Sequence, residues 1–183
     1  MKHTVIALAL MSSATAFAAD YTIDETHSAA TFLISHLGFA KMPGRFNEMS
    51  GSYSHSDDFS SVELSVTVNA ASVDTNHGKR DEHLRSPDFF DARQYPELTF
   101  VSTNYDGNAE GGTLTGDLTM MGVTQPVQFD VVIEGEGDDP WGNYRQGLTA
   151  STRLDRTAFG MNYGTPGIPA EFDVTVYIEG VRK

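Results

Sequence analysis

A strictly alternating run between Ser61 and Ala71 constrains the fold of this chain more than any other feature. Apolar residues occupy every even-numbered position from 62 to 70, whereas polar residues occupy the odd-numbered positions from 63 to 69. A period of two is typical of a β-strand with one buried face and one solvated face. The run therefore predicts a strand that packs one face against an apolar interior.

Similar alternation recurs along the chain and predicts about eight strands in all, joined by short turns such as those at 42–44 and 106–108. About eight antiparallel strands of this kind either close into a barrel or stack as a sandwich. An eight-stranded barrel is just wide enough to be filled by side chains or to hold one slim ligand. Besides the run above, the predicted strands are 21–23 with 27–36, 45–53, 97–105, 113–120, 127–134, 144–155 and 170–181.

Residues 72–100 interrupt the β pattern with a polar and strongly charged segment. Ser86 and Pro87 predict a helix start there, because serine caps helices and proline is tolerated at the first helical position. Tyr95 precedes Pro96, and this pairing favours a return to extended backbone. The segment is predicted to be a short helical lid that leads back into a strand.

The N-terminus has the pattern of a secretory signal peptide. Lys2 supplies a positive charge, an apolar run follows from Val5 to Met11, and Ala16 and Ala18 fit the small-residue cleavage rule. We expect residues 1–18 to be removed and residues 19–183 to form one domain. The chain contains no cysteine and no Asn-x-Ser/Thr site, which favours a bacterial periplasm over a eukaryotic secretory route.

The net charge of −13 disfavours two classes of partner. Nucleic acid and anionic lipid surfaces would both be repelled at long range by such a chain. The apolar run of the signal is also too short to span a bilayer, and no later stretch approaches the required ~20 apolar residues. The sequence therefore predicts a protein that binds neither DNA nor RNA and does not span the membrane.

The motifs of common enzymes do not appear. The chain has no GxSxG elbow and no cysteine nucleophile, and its histidines lack the HxH and HExxH spacings of zinc sites. We accordingly predict no catalytic residue, no metal ligand and no resident cofactor, and we treat an enzyme as a minority hypothesis. His36 is the histidine of most interest, because it ends an apolar strand face and would lie at a barrel mouth.

Two interpretations of the charged segment stay open on composition alone. In the first, its acidic and basic side chains pair with one another on an ordinary solvated helix. In the second, Phe89 and Phe90 cover an apolar cavity, while an arginine and His83 meet the polar end of a ligand. The residues alone do not decide between them.

Four stretches of the chain closely resemble the YceI-like family, and the resemblance extends over nearly all of residues 19–183. They are HSAATFLISHLG at 27–38, the segment SVDTN to YPELTF at 72–100, GDLTMMGVTQPV at 116–127 and GDDPWG at 137–142. Members of that family are periplasmic, lipocalin-like β-barrels, and characterised members hold a polyisoprenoid lipid or quinone in an apolar tunnel. The resemblance thus implies an all-β fold, an antiparallel eight-stranded barrel with a short helical lid, and a similar ligand.

Our main hypothesis is a periplasmic carrier that sequesters an amphiphilic isoprenoid, either a polyprenyl or a quinone-type lipid, in the barrel. The expected polar end of the site comprises His36, Asp74, Arg80, Asp81, His83 and Arg85. The expected apolar wall and lid comprise Phe32, Ile34, Leu64, Val66, Phe89, Phe90, Phe100, Leu118, Phe129, Val131, Leu148 and Val176.

Two other functions remain open. The first is an accessory protein that presents a quinone or haem in periplasmic electron transfer. The second is a stress-related interaction protein whose barrel is filled by its own side chains, without a cavity. A homodimer is an open alternative to a monomer.

Overall fold

The alternating stretches form strands in the computed structural model of the protein, which describes residues 19–183. One α-helix, α1 (Gly78–Leu84), and two short 3₁₀ helices, Ala70–Ser72 and Arg156–Phe159, accompany them. The strands are β1 (Ala19–Ile23), β2 (Ala29–His36), β3 (Ala40–Phe46), β4 (Met49–His55), β5 (Val62–Asn69), β6 (Val73–Asp74), β7 (Glu97–Asn108), β8 (Gly111–Met120), β9 (Val123–Asp138), β10 (Tyr144–Asp155) and β11 (Glu171–Arg182).

Eight of the strands close into an antiparallel barrel in the order β1, β4, β5, β7, β8, β9, β10 and β11. Closure occurs because β1 pairs on both edges: Tyr21 lies opposite Tyr53 of β4 and opposite Arg182 of β11. Closing the sheet leaves no unpaired edge in this ring. The predicted all-β, eight-stranded barrel with a short helical insertion is confirmed.

The registers define two ends of the barrel. Turns at 56–61, 109–110 and 139–143 lie at one end, which we call the far end. The opposite end, the lid end, carries two longer connections. We call 75–96 the first lid segment and 156–170 the second lid segment. The predicted lid therefore lies at one mouth of the barrel.

The hairpin of β2 and β3 extends the sheet beyond the ring at the lid end, where β2 pairs with β11 and β3 pairs with β6. The turns predicted at 42–44 and 106–108 are wrong, because these residues lie within β3 and β7. The single strand predicted over 45–53 is also wrong, because β3 ends at Phe46 and β4 begins at Met49.

Gly44 pairs with Phe32, whose ring occupies the space that a Cβ atom would need. The glycine is therefore needed for packing rather than for a turn. Pro43 is tolerated because this part of β3 has no partner strand on its outer edge.

The helix of the first lid segment begins and ends earlier than the sequence predicts. His77 is its N-cap, and its Nδ1 accepts a hydrogen bond from the Arg80 backbone N–H at 3.3 Å. The predicted helix start at Ser86 is wrong. The Ser86 carbonyl instead accepts hydrogen bonds from the backbone N–H groups of Phe89 and Asp91, which close a compact turn after the helix.

Two further expectations concern the signal peptide and membrane-spanning helices. The predicted signal peptide, residues 1–18, lies outside the described residues. Within residues 19–183, no helix has the length and the apolar character needed to cross a bilayer.

Candidate functional site

A cavity of about 460 Å³ runs through the interior of the barrel, a size typical of small-molecule sites. Its wall includes Leu154 and Phe172 toward the lid end and Leu114 and Ile133 toward the far end. Leu37, which is 55% exposed, also lines it, so the cavity reaches the surface beside the lid.

The wall is overwhelmingly apolar because the inward side chains of each strand follow the alternation seen in the sequence. Strand β5 shows this most clearly, since the even-numbered residues Val62, Leu64, Val66 and Val68 all line the cavity. The structure places every one of the twelve apolar residues expected at the site on the cavity wall or lid. They are Phe32, Ile34, Leu64, Val66, Phe89, Phe90, Phe100, Leu118, Phe129, Val131, Leu148 and Val176.

Aromatic rings join the two lid segments over the cavity. Phe89 and Phe90 are buried, and the Phe90 ring packs edge-on against Phe46 of β3 at 5.3 Å between centroids. The ring of Tyr163, from the second lid segment, lies 4.9 Å from that of His83 and 5.3 Å from that of Phe89. These contacts hold the two connections together across the mouth.

Three of the polar residues expected at the site line the cavity at the lid end: His36, Arg80 and His83. Arg80 donates from Nε to Thr75 Oγ1 at 2.6 Å and from Nη2 to the Thr75 carbonyl at 2.7 Å. His83 Nε2 lies 2.8 Å from Asp88 Oδ2. The side chains of Arg80 and His83 thus already engage protein partners.

The other three expected polar residues, Asp74, Asp81 and Arg85, lie outside the cavity lining. Asp81 is buried and accepts hydrogen bonds from the backbone N–H and the hydroxyl of Thr75, at 2.9 and 2.5 Å. Asp74 accepts from the Asn76 backbone N–H, and this bond lowers the pKa of its carboxyl. These side chains shape the first lid segment rather than the cavity wall. Arg85 likewise donates to main-chain carbonyls of neighbouring residues.

Arg156 is a wall residue that sequence reasoning missed. Its side chain is 2% exposed and donates to the carbonyls of Pro169, Met161 and Ile168 at 2.8, 2.6 and 2.9 Å. Burial lowers the pKa of its guanidinium. Because all three acceptors belong to the second lid segment, Arg156 holds that segment in place. Arg156 begins an irregular, glycine-rich stretch, so no periodic sequence pattern predicted that its side chain is buried.

Polar residues also line the far end of the cavity, where no sequence pattern predicted them. Tyr53, His55 and Gln146 are buried on the cavity wall. Tyr53 stacks on Tyr21 with centroids 4.7 Å apart, and burial raises the pKa of the Tyr53 hydroxyl. The sequence could have predicted that Gln146 faces the interior, because it lies two residues before Leu148 on β10 and both therefore lie on the same face of the strand.

The structure also brings Glu179 of β11 beside Asp24 and His27, and the three side chains form a set of potential metal ligands. Arg145 Nη1 donates to Asp24 at 2.7 Å and to Glu179 at 2.5 Å. Its guanidinium thus supplies positive charge to this cluster. Hydrogen bonds from Thr26, Arg145 and His27 hold the pKa of Asp24 well below its usual value.

Curated relatives match the chain over nearly its full length. A UPF0312 protein of Pseudomonas aeruginosa is 40% identical over 190 residues, which cover 100% of both chains. A UPF0312 protein of Shewanella sp. strain ANA-3 is 39% identical over 178 residues, covering 95% of this chain and 93% of the relative.

Solved structures share the barrel. The YCEI protein of Campylobacter jejuni is 28% identical, with a TM-score of 0.74 over 82% of this chain and 90% of that one. A polyisoprenoid-binding domain from Saccharophagus degradans is 17% identical, with a TM-score of 0.70 over 89% and 98% of the two chains. The similarity to the Saccharophagus degradans domain concerns the fold alone.

The family model described as the YceI-like domain matches residues 21–180, which span nearly the whole barrel and both lid segments. This match agrees with the resemblance of the four sequence stretches and with the relatives above. The chain belongs to the YceI-like family.

Proposed function

We propose that the protein binds an amphiphilic isoprenoid lipid inside the barrel and carries or sequesters it without catalysis. The observation that carries this proposal is the apolar cavity of about 460 Å³, which reaches the surface beside an aromatic lid. The Saccharophagus degradans domain, whose barrel is similar, is described as polyisoprenoid-binding. Shape and lining both suit an elongated apolar chain.

The energetics favour a long apolar ligand over a compact polar one. Each buried CH₂ group contributes about 0.8 kcal/mol, so a prenyl chain gains affinity along the whole length of the wall. A polar molecule would lose its hydration there and recover few hydrogen bonds. The wall therefore selects by length and apolar character, and polar residues at its ends distinguish one lipid from another.

Three polar side chains at the lid end support binding rather than catalysis. Arg80 bonds to Thr75, His83 contacts Asp88, and Arg156 bonds to three carbonyls. These hydrogen bonds fix the lid, whereas a general acid or base needs a free partner directed at the substrate.

We place the protein in the periplasm, on the basis of the signal peptide predicted at residues 1–18. An exported protein that encloses a lipid would shield its ligand from water between membranes. An isoprenoid quinone belongs to the same ligand class, and presentation of a quinone to a membrane enzyme is the second candidate. A barrel filled by its own side chains would lack the observed cavity, which argues against the third hypothesis.

Organic extraction of the protein, purified without detergent from a bacterial periplasm, tests the proposal. We expect mass spectrometry to detect an isoprenoid lipid in stoichiometric amount. Ala150→Phe should remove it, since Ala150 lines the cavity and a phenyl ring there would fill the space. Val132→Phe is the matched control, because Val132 is 53% exposed on β9 and should leave the lipid in place.

Repeated extraction without any bound lipid from the wild type would contradict the proposal. An ultraviolet spectrum that changes on chemical reduction of the extract would identify a quinone and favour the second candidate.

A further inference from the structure

The tip of the β2–β3 hairpin exposes two large apolar side chains to solvent. Residues 34–42, which we call the hairpin tip, pair only across the hairpin, because β2 leaves β11 after Leu33 and β3 reaches β6 only near its end. Leu37 is 55% exposed, and Phe39, at 86%, is the most exposed large apolar side chain of residues 19–183. Single exposed apolar residues are common, but neighbouring ones on a projecting element mark an interaction surface.

The turn at the hairpin tip holds Leu37 in a conformation that leucine seldom adopts. Leu37 and Gly38 have φ values of 51° and 80°, and the Phe39 backbone N–H donates to the His36 carbonyl at 2.9 Å. Two-residue hairpin turns with positive φ at both central positions favour asparagine or aspartate before glycine. An exposed leucine thus occupies a position where a small polar residue would suit the backbone better. This points to a role for its side chain outside the fold itself.

The hairpin tip borders the mouth of the cavity. Leu37 and Met42 line the cavity, and so does Tyr163 of the second lid segment, which is 46% exposed. Phe39 lies outside the lining. An apolar surface therefore continues from the cavity wall, through Leu37, to the exposed ring of Phe39.

Charge distinguishes the two ends of the barrel. The hairpin tip carries Lys41, paired with Asp173 of β11 at 3.2 Å, and no acidic residue, and the two lid segments carry five basic and four acidic residues. The three turns of the far end carry four acidic residues and no basic one. Trp141, 81% exposed in one of these turns, follows the adjacent acids Asp138 and Asp139. Moving carboxylates into an apolar medium is unfavourable, so the lid end suits contact with such a medium better than the far end does.

A lipid bilayer fits the hairpin tip better than a protein partner does. A stable protein interface buries about 800 Å² on each partner, from roughly 20–30 residues, whereas the hairpin tip offers two large side chains on one turn. A narrow apolar projection suits the deformable boundary between headgroups and acyl chains, where interfacial proteins bury apolar groups to a depth of about 5–10 Å. The net charge of −13 opposes a strongly anionic surface at long range, so zwitterionic phospholipid is the favoured partner.

We propose that the hairpin tip inserts Leu37 and Phe39 into the interfacial layer of a zwitterionic phospholipid bilayer, with the mouth of the cavity facing the membrane. A lipid then moves between the bilayer and the cavity without crossing water. This transfer rests on the proposed lipid-binding function, whereas the docking rests on the exposure and charge of the hairpin tip.

Flotation with phosphatidylcholine vesicles tests the docking. We expect the wild type to float with the vesicles and Phe39→Ser to bind them about tenfold more weakly, because no phenyl ring then leaves water. Leu37→Asn should also weaken binding while it keeps or raises the melting temperature, since asparagine suits the positive φ. Trp141→Ser is the matched control, because it removes a similarly exposed aromatic ring at the opposite end. It should bind like the wild type.

Tryptophan fluorescence identifies the end that docks. Trp141 is the single tryptophan of the chain, so its emission reports on the far end. Vesicles that contain brominated phosphatidylcholine should leave the emission of the wild type unchanged. The same vesicles should quench the emission of the double variant Phe39→Trp/Trp141→Phe.

Three results would overturn the docking: no binding of the wild type to vesicles, equal losses in Phe39→Ser and Trp141→Ser, or quenching of Trp141 in the wild type. Sedimentation that shows self-association through Phe39, without vesicle binding, would also overturn it and identify a second copy of the chain as the partner.

The failures of the two proposals are distinguishable. Organic extraction of Phe39→Ser should yield as much lipid as extraction of the wild type, because Phe39 lies outside the cavity lining. Absence of lipid from a wild type that still binds vesicles would contradict the proposed function and leave the docking standing.

Discussion

Arg156 shows how one charged side chain organises the entrance of an apolar cavity. Burying a guanidinium is unfavourable unless its donors are satisfied, and here three main-chain carbonyls accept from it. Those carbonyls belong to the second lid segment, which otherwise lacks regular structure after the 3₁₀ helix Arg156–Phe159. Gln146 is the opposite case, since its buried acceptor has no partner in the described chain.

We predict that Arg156→Met lowers the free energy of unfolding by about 3 kcal/mol, because it leaves buried carbonyls without donors. Urea denaturation followed by circular dichroism measures the change. Arg153→Met is the control, since the side chains of Arg153 and its ion-pair partners Glu171 and Asp173 are 60%, 59% and 42% exposed. It should cost less than about 1 kcal/mol. Equal losses in both variants would contradict the structural role of Arg156.

Sequence patterns predict which single residues line the cavity only where buried and exposed side chains alternate along a strand. The apolar wall residues were found because strands place every second side chain inside. Gln146 shares that parity but is polar, and Arg156 lies outside any periodic stretch, so neither was found. Asp74, Asp81 and Arg85 were expected at the polar end of the site, yet each bonds to the protein instead. Asp74 and Asp81 accept from Asn76 and Thr75 of the first lid segment, and Arg85 donates to the Val73 carbonyl of β6.

At the scale of elements, the sequence predicted that most strands exist, but it did not predict where turns lie or where the helix begins. Strand β5 follows its alternating pattern closely. The stretch 42–44 resembles a turn in composition but lies in β3, since cross-strand pairing with β2 and the Phe32 ring outweigh the turn preference of its proline and glycine. The helix α1 was misplaced because its cap is His77, a residue outside the usual capping set.

The lid segments meet through Tyr163, and this contact should control the exchange of ligand. Loss of one aromatic contact of about 1 kcal/mol predicts that Tyr163→Ala releases bound lipid about fivefold faster. Stopped-flow dissociation of a fluorescent prenyl lipid measures the rate. Tyr177→Ala is the control, because Tyr177 is 48% exposed on β11 and does not line the cavity. A Tyr163→Ala rate equal to that of the wild type would show that the lid does not limit release.

Arg145 joins three elements, because it bonds to Asp24 after β1, to Asp139 after β9 and to Glu179 on β11. Hydrogen bonds from Arg145 and Asn143 hold the pKa of Asp139 below its ordinary value of 3.8, and the pKa of Asp24 is also lowered. Carboxyls with lowered folded-state pKa values stabilise the fold above their unfolded pKa. That stability is lost as the pH falls through the folded-state pKa.

We therefore predict that the wild type loses stability below about pH 4, and that Arg145→Met loses less over the same interval. Thermal melts at neutral pH and at several acidic pH values measure both slopes. At neutral pH, Arg145→Met should melt below the wild type. Parallel slopes in the two proteins would contradict the role of this network.

For the whole molecule, the central feature is an acidic exterior around an apolar interior. The chain carries a net charge of −13, and the charged residues outside the lid lie mainly on the outer face of the barrel or in turns. The interior is not filled, because the inward side chains leave a cavity of about 460 Å³. Barrel closure and the lid were predictable from alternation and family resemblance. The size of the cavity depends on how side chains pack across the barrel, and no local pattern encodes that.

The most direct test is methyl-resolved NMR of the delipidated protein titrated with a prenyl lipid. We predict Overhauser contacts from the prenyl chain to the methyl groups of Leu118, Val131 and Val176, which line the cavity. Methyl groups of Val101 and Val132, which are exposed on the outer surface, should be unaffected. Contacts confined to Val101 and Val132, or no contacts at saturating lipid, would contradict the account.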